Sequence, residues 1–366
     1  MDRRFTETPY NSTFSQIVAA PIHFRRSQSA ATVNRMNRIL VIRGGAIGDF
    51  ILTLPALKAL RDARPQAHME ILGYKHVAVL AEQRFYAQAV HSIEYGPLAR
   101  FFARNSELPP ELADYFASFD LIASYLYDPD RIFETNLRRC GVENLLCGPA
   151  KITDSRSDGL PAVIGNPTDG KPSFLDGHAA RQLARPIEEL GIEVVDLAER
   201  IFPSVGDREF AREFHASVSQ PMIAIHPGSG SPRKNWPLEN WIELFSPGSR
   251  FADLQGLVVI SGEADEMQTD RLEREWQSRD VRFAKNLPLP RLAAVLERSI
   301  FIGHDSGISH LAAAAGANCI LLFGPTDPDV WAPKNENVRV LRPPSGKLKD
   351  LQIETVKAAL AGLLSS

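Results

Sequence analysis

Short apolar runs alternate with amphipathic stretches from Arg38 to the end of the chain. Ile39 to Ile42, Met69 to Leu72, Val90 to Tyr95 and Leu121 to Ser124 have the length and continuity of buried strands. Leu54 to Ala63, with Pro55 in its first turn, and His76 to Gln83 have helical spacing. Residues 97–116 carry a helical pattern rich in aromatics (Phe101, Phe102, Tyr115, Phe116). Residues 153–177 are dense in Gly, Pro, Ser and Asp and predict a long loop. His178 to Leu190 restarts a helix that stops at Gly191. A second alternation begins near Pro221, with strands predicted at Met222 to Ile225, Leu257 to Ser261, Val281 to Ala284, Ser299 to Gly303, Cys319 to Phe323 and Val338 to Leu341. Asp350 to Leu364 predicts a final helix. Alternating strands and helices imply parallel sheets covered on both faces. Two such blocks, joined around residues 203–220, predict two doubly wound α/β domains facing each other.

Composition narrows the class. The chain has 366 residues and 44% apolar content, enough for two domains with real cores. A net charge of −3 gives no global reason to expect nucleic acid as a partner. The three cysteines, Cys140, Cys147 and Cys319, are too few and too irregular for a disulfide framework or a zinc site, which fits a reducing cytoplasm. No apolar run reaches the ~18 residues of a membrane span. Residues 1–35 differ from the rest: five arginines face two acids among scattered Ser, Thr and Asn. They predict a disordered extension. Two sharper readings compete, a targeting peptide and a membrane-surface tether through Phe14, Ile17, Val18, Ile22 and Phe24 beside Arg25 and Arg26. Met36, just before the first strand, is an alternative start.

Every chemical-looking loop follows a strand, where open parallel sheets bind their ligands. Arg43-Gly44-Gly45-Ala46-Ile47-Gly48-Asp49 lacks the G-x-G-x-x-G spacing of a nicotinamide site. Its glycines still allow close approach to the backbone. Asp49 reads equally as a helix cap and as a general base. His226 to Pro237 offers small donors such as Ser229 and the point charge of Lys234, a combination suited to diphosphate. Glu263 stands where a carboxylate can accept the hydroxyls of a ribose, although a generic surface glutamate reads as well. Asp305, Ser306 and Gly307 open a helix whose N-terminus suits a phosphate, with His310 in its first turn. No metal site emerges: the nine histidines are scattered and form no H-x-x-x-H pair.

Four segments in order, RGGAIGDFILTLPALKALR, HPGSGSPRKNWP, ISGEADE and DSGISHLAAAAG with LFGPTDPDVWAP, resemble glycosyltransferase family 9, the bacterial heptosyltransferases of lipopolysaccharide core assembly. The resemblance spans roughly residues 37–345. It implies the GT-B fold, two Rossmann-like domains with the active site in the cleft between them. The domains would be 36–205 for the acceptor and 206–345 for the nucleotide-sugar donor, with helix 346–366 packing back on the first. It further implies Asp49 as catalytic base, Lys234 on the donor phosphates, Glu263 on the ribose, and Asp305, Ser306, Gly307 and His310 at the diphosphate. Gly44, Gly45 and Gly48 would border the acceptor, in a loop less polar than is usual in the family. The implied reaction is an inverting, metal-independent transfer from a nucleotide-sugar, ADP-heptose by expectation, to a lipid-linked saccharide. No cofactor is implied. The place of action would be the cytoplasm, with peripheral contact at the inner membrane. A GT-B sugar epimerase, a non-catalytic nucleotide-sugar binder and a nucleotide-dependent oxidoreductase remain as alternatives.

Overall fold

Two parallel sheets organise the chain, and their strand orders locate the site. The structure, a computed structural model, describes residues 36–153 and 177–365 apart from 217, 253, 255, 263 and 264. The expected extension 1–35, nearly all of the expected loop 153–177, and Glu263 lie outside the described residues.

The first unit runs β1 (Arg38–Arg43), α1 (Ile47–Ala63), β2 (His68–Gly73), α2 (Lys75–Ala78), β3 (Ala89–Ser92), α3 (Pro110–Ala117), β4 (Leu121–Ser124), α4 (Ile132–Arg139), β5 (Leu145–Cys147) and α5 (Ala179–Glu188). Its sheet has the order β3-β2-β1-β4-β5, and β1 pairs in parallel with both β2 and β4. Strand order therefore reverses between β1 and β4, and a crevice opens beyond their carboxyl ends. Ile39 to Ile42 are wholly buried because helices cover both faces.

The second unit runs α6 (Val205–His215), β6 (Ile223–His226), α7 (Leu238–Leu244), β7 (Leu257–Ser261), α8 (Glu266–Glu275), β8 (Val281–Lys285), α9 (Leu289–Leu296), β9 (Ile300–His304), α10 (Gly307–Ala315), β10 (Asn318–Leu322), α11 (Pro328–Trp331), β11 (Val338–Leu341) and α12 (Ile353–Leu364). Its order is β11-β10-β9-β6-β7-β8, so its reversal lies between β6 and β9. The two crevices face one another. One continuous apolar core joins the units, taking in Phe50, Leu54 and Leu57 of α1 with Leu311 and Ala312 of α10.

Three expectations are corrected. Helix α1 begins at Ile47, two turns before Leu54, because the Asp49 carboxylate accepts the Ala46 N–H at 2.9 Å and closes the helix start. The aromatic stretch 97–116 is not one helix: residues 103–109 separate a 3₁₀ stretch (Gly96–Phe102) from α3, which Pro109 precedes and Pro110 opens. Among the described residues the final helix packs on the second unit, where the first was expected. Val356, Ala359 and Leu360 of α12 lie in the outer core of the second sheet with Trp236, Trp241 and Ile320. The Trp236 indole N–H donates to the Leu351 carbonyl at 3.0 Å and ties the segment before α12 to that sheet. Each large apolar side chain buried there contributes about 1.5–3 kcal/mol, which sets the helix's resting place.

Candidate active site

The loop after β1 carries the first candidate residues. Gly45 has φ of +98°, and a Cβ on it would lie 2.7 Å from Asp49 Oδ2, so the turn requires glycine. Asp49 occupies the first turn of α1. Its two sequence readings coexist: the carboxylate caps Ala46, yet its side chain keeps 37% exposure. Beneath it, Arg43 is buried. Its guanidinium donates to the Asp49 carbonyl at 3.0 and 3.2 Å and to the Tyr125 carbonyl at 3.4 Å. Burial lowers the Arg43 pKa, and the nearby Asp49 charge opposes that shift. Its Nη2 stands 3.6 Å from Asp49 Oδ1, a long ion pair that leaves the oxygen open.

The opposite wall comes from the ends of β6 and β9. Lys234 lies in a 3₁₀ turn (Pro232–Lys234), and its ammonium meets Asp305 Oδ2 at 2.6 Å. The Thr326 hydroxyl donates to the same oxygen at 2.8 Å. The buried Asp305 therefore holds the lysine in place, and the lysine side chain keeps 30% exposure. Ser306 caps α10 by accepting the Ser309 N–H at 3.4 Å. The Ser229 hydroxyl is spent inside its own loop, 2.6 Å from Asn235 Oδ1 and 2.8 Å from the Ser231 carbonyl.

The two walls touch at Gly48 and Gly307. A Cβ on Gly307 would sit 2.7 Å from the Ile47 Cβ and 2.9 Å from the Gly48 backbone nitrogen. Helices α1 and α10 thus meet N-terminus to N-terminus. Beside this contact lies a cleft of about 830 Å³, lined from the first unit by Ala46, Ile47 and Gly48 and from the second by Ser229, Ser306 and Gly307. His310 lies behind the contact of the two helix N-termini. It sits in the first turn of α10 but is buried, with Nδ1 2.7 Å from Glu199 Oε1. Burial works against its charged form, but the Glu199 carboxylate outweighs it and raises the pKa. The residue joins α10 to the segment between the units and lies behind Gly48, where an added Cβ would be 3.6 Å from its Cδ2.

Sequence reasoning missed His226 and Asp265. Both line the cleft, and His226 Nε2 stands 3.0 Å from Asp265 Oδ2. The other ring nitrogen is 3.5 Å from the Ser306 hydroxyl. Burial would raise the Asp265 pKa, but the His226 hydrogen bond and charge hold it low. Gly228 is what admits this carboxylate, because a Cβ there would lie 1.6 Å from Asp265 Oδ1. The available signal was a histidine at the carboxyl end of β6 and an acid two residues past Glu263; the glutamate drew the attention. Behind them His304, fully buried and pulled by burial down to about 4, stays neutral. It accepts the Trp236 N–H at 2.9 Å and donates to the Gly228 carbonyl at 3.1 Å, bracing the loop that bears Lys234.

The profile of glycosyltransferase family 9 (heptosyltransferase) matches residues 179–360. Lipopolysaccharide heptosyltransferase 3 of Escherichia coli is 22% identical over 297 residues, 80% of this chain and 84% of that protein. Among solved structures, a family 9 glycosyl transferase from Veillonella parvula superposes with a TM-score of 0.68 at 20% identity, covering 90% of this chain and 98% of its own. An E. coli heptosyltransferase solved with ADP gives 0.61 at 20% identity, covering 89% and 99%. These likenesses extend along both units and bear out the GT-B fold.

Proposed function

The chain belongs to glycosyltransferase family 9, and from that membership we propose that it moves heptose from ADP-heptose to a hydroxyl of a lipid-linked saccharide of the lipopolysaccharide core. The transfer would invert the anomeric centre and require no metal ion. One observation carries the reading. The N-termini of α1 and α10, one from each unit, meet at the cleft, with a half-exposed carboxylate on one side and a lysine aimed by a buried carboxylate on the other.

In this reaction Asp49 takes the proton of the attacking hydroxyl. The hydroxyl oxygen bonds to the anomeric carbon from the face opposite the nucleotide. The bond from that carbon to the diphosphate oxygen breaks, and its electron pair leaves with ADP. Lys234 and the backbone N–H groups at the start of α10 face the growing charge, and such preorganised donors act most strongly where water is excluded. His226, oriented by Asp265, stands behind Ser306 on the same side. ADP supports the donor choice because it is the nucleotide bound by the solved E. coli relative. The protein would work at the cytoplasmic membrane surface, where its acceptor lies. Among the described residues no helix is long and apolar enough to cross a membrane.

The test is a transfer assay with ADP-heptose and heptose-free lipopolysaccharide core, run with and without EDTA, with product anomers assigned by NMR. Inverted product undiminished by EDTA is expected. Retained configuration, metal dependence or an epimerised donor without transfer would each overturn the corresponding part. A thermal-shift panel of ADP, UDP, GDP, CMP and NAD tests the nucleotide. A ligand at ~100 times its dissociation constant adds ~2.7 kcal/mol to the native state, and ADP alone should do so.

A further inference from the structure

Strand register sets His226 beside the start of α10. β6 and β9 are neighbours at the strand-order reversal, and His226, the last residue of β6, pairs with Gly303, just before Ser306. Both side chains line the cleft, with Ser306 Oγ 3.5 Å from His226 Nδ1. Such hydrogen bonds are often long until a ligand closes them. The proton positions follow from the partners. Burial pushes the Asp265 pKa up, but the His226 hydrogen bond and charge hold it low, so the carboxylate stays ionised and only accepts. Its Oδ2 faces His226 Nε2 at 3.0 Å and accepts the Gly262 N–H at 3.3 Å. Nε2 therefore carries a proton, and Nδ1 is the nitrogen that gains or loses one. Ser306 suits both states: it donates its hydroxyl to bare Nδ1 and accepts from protonated Nδ1. Its oxygen also accepts the Ser309 N–H at 3.4 Å and lies 3.3 Å from the Ser309 hydroxyl, whose own proton goes to the His304 carbonyl. Capping α10 thus uses the Ser306 oxygen and leaves its proton free to move.

The described titratable groups around this pair are otherwise engaged. On β9, His304 is neutral, pulled by burial down to about 4. Asp305 is taken up by Lys234 and Thr326, and His310 by Glu199. The reaction has a use for a mobile proton here. Asp49 removes one at the attacking end of the displacement, while the diphosphate gains charge at the leaving end. A terminal phosphate binds its last proton near a pKa of about 6, and an imidazole ordinarily titrates near about 6.5. A general acid works best at such a match.

We propose that His226 passes a proton through the Ser306 hydroxyl to the departing diphosphate, with Asp265 as the positioning residue. As the bond from the anomeric carbon breaks, its electron pair goes to the phosphate oxygen. Ser306 gives that oxygen its hydroxyl proton and takes the Nδ1 proton, which leaves His226 neutral and Asp265 ionised. Water in the cleft then returns a proton to Nδ1. The proposal rests on the glycosyltransferase reading for the reaction, but proton movement beside a bound diphosphate is testable without transfer. Calorimetry of ADP binding to the full chain near neutral pH, in HEPES and in Tris, counts protons through the two buffers' different ionisation heats. The native chain should take up protons with ADP, because a diphosphate favours a charged imidazole. His226→Gln, which keeps an amide donor for Asp265 but has no titrating proton, should lose that uptake. In transfer assays His226→Gln and Ser306→Ala should each lower kcat by about ten- to a hundredfold, less than a general acid's usual ~10²–10⁴ because diphosphate is already a weak base. Both should lose the decline in kcat that the native chain shows as pH rises. A donor with sulfur for a non-bridging oxygen of its β-phosphate leaves as a weaker base and should recover most of the His226→Gln loss. A merely structural role would lower kcat with the pH profile and leaving-group dependence unchanged. That result, or proton uptake unchanged in His226→Gln, would overturn the proposal. Uptake lost in His226→Gln with no transfer by the native chain would leave the relay standing and sink the glycosyltransferase reading. No ADP binding by the native chain would sink both.

Discussion

Asp49 and Asp305 are the same residue type in two copies of one local pattern, each just past a parallel strand at a helix N-terminus. Their surroundings separate them. Asp49 keeps 37% side-chain exposure, accepts one backbone N–H and faces a guanidinium only at 3.6 Å. Asp305 keeps 9%, and one of its oxygens is shared by Lys234 at 2.6 Å and Thr326 at 2.8 Å. A base needs an oxygen free to take a proton, whereas a counterion needs its oxygens occupied. The comparison teaches that neighbours consuming a carboxylate, and not the carboxylate itself, assign its duty.

The largest expected effect tests the first half of that contrast. Asp49→Asn should lower turnover by ~10²–10⁴ with ADP binding unchanged by calorimetry. Near-normal turnover would remove Asp49 as the base. Asp305→Asn comes next. It removes a charged hydrogen bond worth about 1.5–3 kcal/mol and lets Lys234 wander, so kcat/KM should fall by about ten- to a hundredfold, mainly through the donor. A loss equal to that of Asp49→Asn, with intact donor binding, would erase the distinction between the two aspartates.

The contact between the two helix N-termini gives a smaller effect. Gly307→Ala places a methyl 2.7 Å from the Ile47 Cβ, against a neighbouring helix of the other unit. Overpacking of this kind costs about 1–3 kcal/mol, read as a lowered Tm. Gly362, inside α12 with nothing within 4 Å of its added methyl, is the control. Its change to Ala should be neutral or stabilising by up to about 1 kcal/mol. Equal losses at both positions would mean that the helix–helix contact is not tight.

The smallest effect is a pH slope. Glu199 raises the His310 pKa above its ordinary 6.5. The stabilisation from that pair is therefore complete below about 6.5 and is lost as pH rises through the folded value. Thermal melts of the native chain should decline gently on going alkaline from there, and His310→Gln should flatten the decline. An unchanged slope in the variant would assign it to other groups.

Much of this was legible beforehand. Runs such as Ile39 to Ile42 and Cys319 to Leu322 announce buried strands because burial on both faces demands continuous apolar side chains. Loops that follow such strands are where parallel sheets bind, so Asp49, Lys234, Ser306 and Gly307 were identified as candidates; Ser306 and Gly307 line the cleft, Asp49 stands in the first turn of the helix whose start borders it, and Lys234 is paired with Asp305 beside Ser306. The approach of His226 to Ser306 was hidden, because the two stand 80 residues apart in the chain with no shared spacing.

The sequence by itself determined the alternation of elements, the paired parallel sheets and the residue types at strand ends, because periodicity and turn chemistry act over a few residues. Tertiary structure decided the duties. His226 meets Asp265 across 39 residues of chain, Lys234 meets Asp305 across 71, and His310 meets Glu199 across 111. It also decided that α12 rests on the second sheet, where Trp236 and Trp241 offer its apolar face a partner. Such partnerships follow from which surfaces come together when both sheets are packed, and no local pattern encodes that.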